Sequence, residues 1–244
     1  MTDEGKKPEE GAFTWQAKTS LGKQVSEGKI TDIDQILDSG QPIMEKEIVD
    51  KLLPGMESDL LLIGQSRGKF GGGKRRVFRQ TQKKTQEGNK PHFATYAVVG
   101  NKDGYIGIGY GKAKETVPAR EKAVRNAKLS IMKVLRGCGS WQCACQTSHT
   151  IPFAVEGKSG SVTIRLMPAP KGKGLCIEKE CQKILAMAGI KDIWSRSEGQ
   201  TRKKINTIKA CMQALTKLTQ TKIRQQEISK LSITSGKIPK PVEA

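Results

Sequence analysis

The sequence predicts an α+β protein of two domains joined by a cysteine-rich link. Runs of strand-forming residues with hairpin turns occur twice, in residues 92–111 and 150–167. Each group of strands precedes a segment whose apolar residues recur at helical spacing, after Pro118 and after Arg202. The length of 244 residues is sufficient for two ordinary domains. The expected fold class is therefore α+β.

The first domain, residues 31–136, is predicted to be a helix, a three-stranded antiparallel sheet and a second helix. Residues 1–30 are expected to be a flexible N-terminal extension, because their first half is polar and charged. A short helical pattern begins at Thr31, and another covers residues 45–53. The expected strands are residues 74–84, 93–99 and 105–111, the last two joined by the turn 101–104.

The second helix of this domain is expected to run from Pro118 to about Val134. A rotation of about 100° per residue places small and apolar side chains on one arc. The residues on this arc are Ala119, Ala123, Val124, Ala127, Ile131 and Val134. The alanines would let this helix lie close to the sheet.

The second domain, residues 150–219, is predicted to be a two-layer α/β domain. A strand hairpin leads to a proline- and glycine-containing loop, Pro168–Gly174, and then to helical spacing around Cys181–Ala188. A short strand and a final helix complete it. Residues 137–149 form the cysteine-rich link, and residues 220–244 form a polar tail.

The charge of the chain points to a polyanionic partner. Lys and Arg number 43 against 24 Asp and Glu, which gives a net charge of +19 and a pI near 9.8. Nucleic acid is the common polyanion for such a surface. No apolar run approaches the roughly 18 residues that a membrane span requires, and the N-terminus lacks the apolar region of a signal peptide. We therefore expect a cytoplasmic protein with no membrane partner.

Basic residues cluster in three places that favour RNA phosphate contacts. These are the glycine-rich segment and following hairpin, the residues before the helix at Pro118, and the basic positions of the second domain. The candidate contacts are Arg67, Lys69, Lys74, Arg75, Arg76, Arg79, Lys83, Lys84, Lys90, Lys112, Lys114, Lys171, Lys173, Arg196, Arg202, Lys203 and Lys204.

Neither catalysis nor nucleotide hydrolysis is predicted. Residues 68–74 come close to a phosphate-binding P-loop, but Arg75 occupies the position of the Ser or Thr that holds Mg²⁺. A P-loop must also open a helix, whereas the next segment is expected to be extended. His92 and His149 have no Ser or Cys partner in a recognisable motif.

The cysteine-rich link contains the one candidate metal site. Cys138, Cys143, Cys145 and His149 supply three thiols and an imidazole, the number and kind of ligands that tetrahedral zinc takes. Their spacing differs from that of common zinc knuckles. The chain requires no cofactor, and two interpretations stay open: one structural zinc ion that fixes the junction between the domains, or a set of free thiols.

The residues from Ala97 to Glu115 resemble the universal small-subunit ribosomal protein five family, whose eukaryotic member is called protein two. The resemblance extends over residues 20–220, and residues 137–143 resemble the archaeal branch. The other matching segments are 127–131, 160–162, 168–174, 188–192 and the helix after Thr201.

This resemblance implies a double-stranded-RNA-binding-like first domain and a βαβ-type second domain. It further implies a structural, non-enzymatic role in the small ribosomal subunit. The implied partners are small-subunit rRNA, ribosomal proteins four and eight, and mRNA where it enters the subunit. The implied location is near the decoding region, with a contribution to translational accuracy. A free-standing double-stranded-RNA-binding protein is the alternative that the basic surface leaves open.

Overall fold

The computed structural model describes residues 15–65, 75–143 and 145–236. Within them the chain forms an α+β protein with two main sheets. The fold begins with three short helices, α1 (Ser20–Ser26), α2 (Ile33–Ser39) and α3 (Lys46–Leu52).

The prediction of a flexible extension at residues 1–30 is wrong for its second half. Helix α1 buries Leu21 and Val25 in a cluster with the apolar faces of α2 and α3. The Trp15 indole N–H donates to Glu45 Oε2 at 2.8 Å, which ties the preceding residues to the same helices. The short apolar spacing of α1 gives little local signal, and its burial against distant residues stabilises it.

The first main sheet has five strands among the described residues, not the three that the sequence predicts. They are β1 (Glu57–Leu61), β2 (Arg79–Thr85), β3 (Gly88–Gly100), β4 (Tyr105–Ala113) and β5 (Ile131–Lys133). Strand β3 is 13 residues long, so β2 and β1 pair antiparallel with successive parts of its one edge. Strands β1 and β5 are not predicted from the sequence because both are too short to show a strand pattern of their own.

Helix α4 (Thr116–Leu129) lies against the glycine-rich strand β4. Its buried residues are Ala119, Ala123 and Ala127, as the helical arc predicts. The expected extension of this helix to Val134 is wrong, since Ile131–Lys133 forms β5 and pairs antiparallel with β4. Strand pairing at the free edge of β4 therefore overrides a helical spacing that continues past Leu129.

The second main sheet contains β7 (Val155–Ser159), β8 (Val162–Pro168), β9 (Leu175–Cys176) and β10 (Ile193–Glu198), in the order β7-β8-β10-β9. Helix α5 (Lys179–Met187) connects β9 to β10, and these two strands pair in parallel. The longer α6 (Lys204–Gln220) follows β10 and packs on β7 and β8. A βαβ unit and a sheet covered by helices are thus present in this domain.

The described part of the polar tail, residues 220–236, packs on the body of the protein. Helix α7 (Gln225–Lys230) is followed by β11 (Thr234–Ser235), which pairs antiparallel with β6 (Leu135–Arg136) at the start of the link. The side chain of Arg136 is 2% exposed and donates to the Gly236 carbonyl at 2.9 Å. Residues 234–236 therefore help to close the junction between the two domains.

A single buried apolar cluster extends across both domains. It joins Tyr96, Val98 and Ile106 of the first sheet to the second sheet and to helices α5 and α6. The amide of Lys102 also donates to the Met187 carbonyl at 2.9 Å. The link between the domains consequently lies beside a packed interface.

Candidate functional sites: a basic hairpin and a cysteine–histidine cluster

The basic hairpin, defined here as residues 79–90, extends past the rest of the first sheet. Strand β4 pairs with β3 only from Phe93 onward, and β1 pairs with it only from Tyr96 onward. Residues 88–92 of β3 therefore pair with β2 but with neither of those strands. The end of the hairpin is a two-stranded ribbon with both faces open.

Positive charge is concentrated on this ribbon. Lys83 lies directly opposite Lys90 in the strand register, and Lys84 follows it. Like charges opposite each other destabilise a strand pair unless an anion lies nearby. Glu87 pairs with Lys90 at 3.0 Å, while Lys83 and Lys84 have no acidic partner among the described residues. All three lysines are exposed.

The base of the hairpin aligns two further predicted residues on one face of the sheet. Arg79 pairs with Ala94 on β3, and Ala94 pairs with Lys112 on β4. Because directly paired residues project to the same face, exposed Arg79 and Lys112 flank Ala94. Lys114 is exposed just before helix α4, as predicted.

Arg75 connects the basic residues of the glycine-rich segment and hairpin to those of the second domain. Its guanidinium donates to the Arg202 carbonyl, with Nη2 and oxygen 3.1 Å apart. Arg76 is exposed beside it. The predicted residues Arg67, Lys69 and Lys74 lie outside the described residues.

The basic positions of the second domain are not equally free. Lys171, Lys173, Arg202 and Lys203 are exposed. Arg196 is exposed but pairs with Glu198 at 2.9 Å. Lys204 forms a half-buried ion pair with Glu178, so its charge is already balanced within the protein. Arg202 and Lys203 lie at the start of α6, whose first turn contains no acidic residue, and Lys171 and Lys173 lie on the Pro168–Gly174 loop.

The cysteine–histidine cluster, defined as Cys138, Cys143, Cys145 and His149, is brought together by short backbone pairing. Gly137 forms an antiparallel bridge with Thr150, and the Gly139 N–H donates to the Ile151 carbonyl at 3.3 Å. These bonds hold the two ends of the link side by side. A Cβ on Gly139 would lie 1.9 Å from the Pro152 carbonyl oxygen, so only glycine permits this approach.

The four ligand atoms of the cluster all lie within 4.8 Å of one another. The sulfurs of Cys138 and Cys145 are 3.5 Å apart, and Cys143 Sγ is 3.8 Å from His149 Nε2. A tetrahedral zinc ion with bonds of about 2.3 Å to sulfur separates its ligands by about 3.8 Å. The spacing that looks unfavourable in sequence is therefore compatible with one ion in three dimensions.

The pKa values of two of the thiols are shifted in opposite directions. The hydroxyl of Thr147 donates to Cys145 Sγ at 3.1 Å and lowers the pKa of this thiol to about 6. Burial, together with the bond from Cys145, raises the pKa of Cys138 to about 11. Cys145 is therefore more readily present than Cys138 as a thiolate, the form that binds metals.

Asp192 is a partner of the cluster that the sequence does not predict. Its Oδ2 is 2.8 Å from His149 Nδ1, and both side chains are 5% exposed. A carboxylate on the far nitrogen of a metal-binding histidine is the usual arrangement in zinc sites. The two positions are 43 apart in the sequence, and no pattern in the residues between them joins the two.

The described residues contain no helix of the length and apolarity needed to span a membrane. The fold and surface together define a two-domain α+β protein with a strongly basic exterior and a thiol–imidazole centre at the junction.

Two domains of a known protein family match this chain. Residues 63–135 match the ribosomal protein S5 N-terminal domain, and residues 157–231 match the ribosomal protein S5 C-terminal domain. The small ribosomal subunit protein uS5 of Nanoarchaeum equitans is 49% identical over 224 residues, covering 92% of this chain and 96% of that protein. The uS5 protein of Methanobrevibacter smithii is 44% identical over 219 residues, covering 90% and 96%.

The chain belongs to the ribosomal protein S5 family. This membership confirms the resemblance drawn from residues 97–115 and the expectation of a ribosomal, non-enzymatic protein. The uS5 protein of Methanocaldococcus jannaschii is also similar, with 42% identity over 224 residues. These relatives come from archaea, in agreement with the archaeal character of residues 137–143.

Proposed function

We propose that this chain is a structural constituent of the small ribosomal subunit that binds small-subunit rRNA through the basic hairpin. The family relationship favours this function over that of a free-standing double-stranded-RNA-binding protein. The observation that carries the proposal is the ribbon that extends past the sheet with Lys83 and Lys84 unpaired among the described residues. The protein works in the cytoplasm as part of the ribosome.

The first domain supplies the main RNA contact in this proposal. Its antiparallel strands β1–β4 between helices α3 and α4 support a double-stranded-RNA-binding-like domain. The lysines of the ribbon would contact phosphates, which position an RNA without reading its sequence. Arg79, Lys112 and Lys114 would continue that contact along the sheet toward α4.

The second domain supplies a further contact surface. Arg75 and Arg202 are adjacent, so RNA bound at the start of the hairpin would also approach the start of α6. A phosphate there would balance Arg202 and Lys203, whose charges oppose the positive end of the helix dipole. Lys171 and Lys173 on the Pro168–Gly174 loop would reach rRNA or a neighbouring protein.

From the family resemblance we extend the partners to ribosomal proteins four and eight and to mRNA where it enters the subunit. On the same basis we place the protein near the decoding region, with a contribution to translational accuracy.

The hairpin is tested by the salt dependence of RNA binding. Lys83, Lys84 and Lys90 are replaced together by Gln, and affinity for a small-subunit rRNA transcript is measured across a salt series. Each lost phosphate contact on duplex lowers the slope of log K against log salt by about 0.9, so the slope should fall by at most about 2.7. Affinity at low salt should fall as well.

A matched variant removes the same charge elsewhere. Lys23, Lys217 and Lys230 are exposed and outside the predicted contacts, so their replacement by Gln should change the slope much less. Equal slopes for the two triple variants would mean that net charge alone accounts for binding, and the hairpin assignment would be wrong.

We also propose that the cysteine–histidine cluster binds one structural zinc ion. Four ligand atoms of the right chemistry lie within 4.8 Å of one another, and two of the pairs have separations of 3.5 and 3.8 Å, close to those of a tetrahedral site. An ion there would join the link to the start of the second domain. Free thiols remain the competing interpretation.

A catalytic triad is the other chemistry that this arrangement suggests. Cys143, His149 and Asp192 follow the order of nucleophile, base and orienting acid. Two additional thiols, Cys138 and Cys145, lie in the same cluster, and a catalytic triad does not require them. The ligand count therefore favours a metal, as does the non-enzymatic family.

Metal content of the purified full chain tests the zinc proposal. Elemental analysis should give one zinc per chain, and Cys143→Ser should lower this value strongly. Cys176→Ser is the matched control, because Cys176 is an exposed thiol outside the cluster. Chains purified without chelators that contain no zinc, and that do not acquire it from buffer, would establish the free-thiol interpretation.

A further inference from the structure

One buried carboxylate joins the cysteine–histidine cluster to the basic loop Pro168–Gly174. Asp192 Oδ2 is 2.8 Å from His149 Nδ1, and Asp192 Oδ1 accepts from the Gly174 N–H at 2.7 Å. A buried carboxylate must be paired to be stable, and the two oxygens of Asp192 have one donor each. Residues of the cluster and of the loop thus share this side chain.

The other end of the loop is attached beside the same histidine. The Ala169 N–H donates to Thr150 Oγ1 at 3.4 Å, and Thr150 follows His149 directly. The Asp192 amide donates to the His149 carbonyl at 3.2 Å. Both ends of the loop are therefore fixed to residues next to a cluster ligand.

Between these attachments the loop has few restraints of its own. Gly172 and Gly174 adopt left-handed φ values of 86° and 73°, and Lys173 N–H donates to the Pro170 carbonyl at a long 3.3 Å. Lys171 and Gly172 line a cavity of about 610 Å³ together with His149 and Asp192. The conformation of the loop depends on the attachments more than on internal contacts.

We propose that Asp192 is a positioning residue that links metal occupancy of the cluster to the conformation of the basic loop, so that metal loading determines how firmly Lys171 and Lys173 are presented to an RNA phosphate. The inference rests on the proposed zinc site. It adds to that site a role in RNA contact by the second domain.

The physical link is the orientation of the His149 ring, which Asp192 contacts. A metal on Nε2 requires the proton on Nδ1, which then donates to Asp192 and fixes the carboxylate. The fixed carboxylate keeps its other oxygen on the Gly174 amide. Without the metal nothing fixes Nε2, so the His149 ring, and with it the bond to Asp192, reorients more freely. The hydrogen bond from the Gly174 N–H to Asp192 Oδ1 weakens as a result.

Hydrogen–deuterium exchange of the full chain, in zinc-loaded and chelator-stripped forms, tests this link. The peptide that contains Gly174 should exchange about tenfold more slowly in the zinc-loaded protein, the effect of one hydrogen bond of ordinary net strength. Asp192→Asn should remove most of this difference while zinc is still bound. Asp59→Asn is the matched control, since Asp59 pairs with Lys183 on the surface and should leave the difference intact.

A second variant tests the link without changing Asp192. Cys143→Ser, which removes a ligand, should give the same loop exchange as stripped wild-type protein whether or not zinc is added. Zinc binding with no change in exchange of the loop would overturn the link and leave the metal proposal standing. Unchanged protection in zinc-loaded Asp192→Asn would also overturn it. Absence of zinc from the wild-type chain would remove both proposals.

Discussion

The contact between β4 and α4 gives the sharpest stability prediction. A Cβ added at Gly109 would lie 2.1 Å from the Ala123 carbonyl oxygen and 2.2 Å from the Ala127 nitrogen. Ordinary non-bonded contacts between heavy atoms are about 3.5 Å or longer. The Gly109→Ala substitution therefore requires the helix and strand to separate by more than about 1 Å.

The obstacle at Gly109 is backbone, which no side-chain rotation can relieve. Overpacking of a well-packed core costs about 1–3 kcal/mol. Here the displaced helix also carries Ala119, Ala123 and Ala127, each of which is fully buried. We therefore expect Gly109→Ala to lower the free energy of unfolding by about 3 kcal/mol or more.

Urea denaturation of the full chain measures this loss. The matched control is Gly40→Ala, because Gly40 has a φ of 70° but nothing within 4 Å of its Cβ position. A left-handed conformation alone costs an alanine about 1–2 kcal/mol. If Gly109→Ala proves no more destabilising than Gly40→Ala, the close approach of strand and helix is not what limits residue size at this position.

Two further predictions concern the second domain and the C-terminal residues. In assembled small subunits, crosslinks to rRNA should come from Lys171 or Lys173 and from residues 196–204; crosslinks confined to residues 67–136 would assign the second domain to protein docking. Truncation after Lys222 should lower the free energy of unfolding by about 2–3 kcal/mol, because buried Arg136 loses its bond to the Gly236 carbonyl. An unchanged denaturation midpoint would show that the pairing of β6 with β11 contributes nothing to stability.

The sequence was sufficient to predict the elements whose periodicity is strong. The alternation of residues 93–99 and 105–111 identified β3 and β4, and the alanine spacing identified the buried face of α4. The order of motifs identified the family. These features are encoded locally, because the side-chain period of a helix or strand appears in a few consecutive residues.

The limits of local pattern appear at β1, β5 and α1. Each is seven residues or fewer and is stabilised by neighbours that are distant in sequence. Ile131 shows this directly, since its spacing continues the arc of α4 while its backbone pairs with Gly107. The unpaired edge of β4 competes with the helical pattern for residues 131–133. These residues become a strand only because the folded sheet offers that edge.

For the basic hairpin and the cysteine–histidine cluster, too, some features follow from the sequence and others only from the tertiary structure. The sequence alone determined the +19 charge and the lysines of the hairpin, and it supplied three thiols and an imidazole in the link. Only the tertiary structure decided that these four ligands converge within 4.8 Å, and that Asp192 joins His149 across 43 residues to the basic loop. The sequence determines which charged and metal-binding side chains are available. Which of the buried ones pair with each other depends on contacts that form only when the whole chain packs.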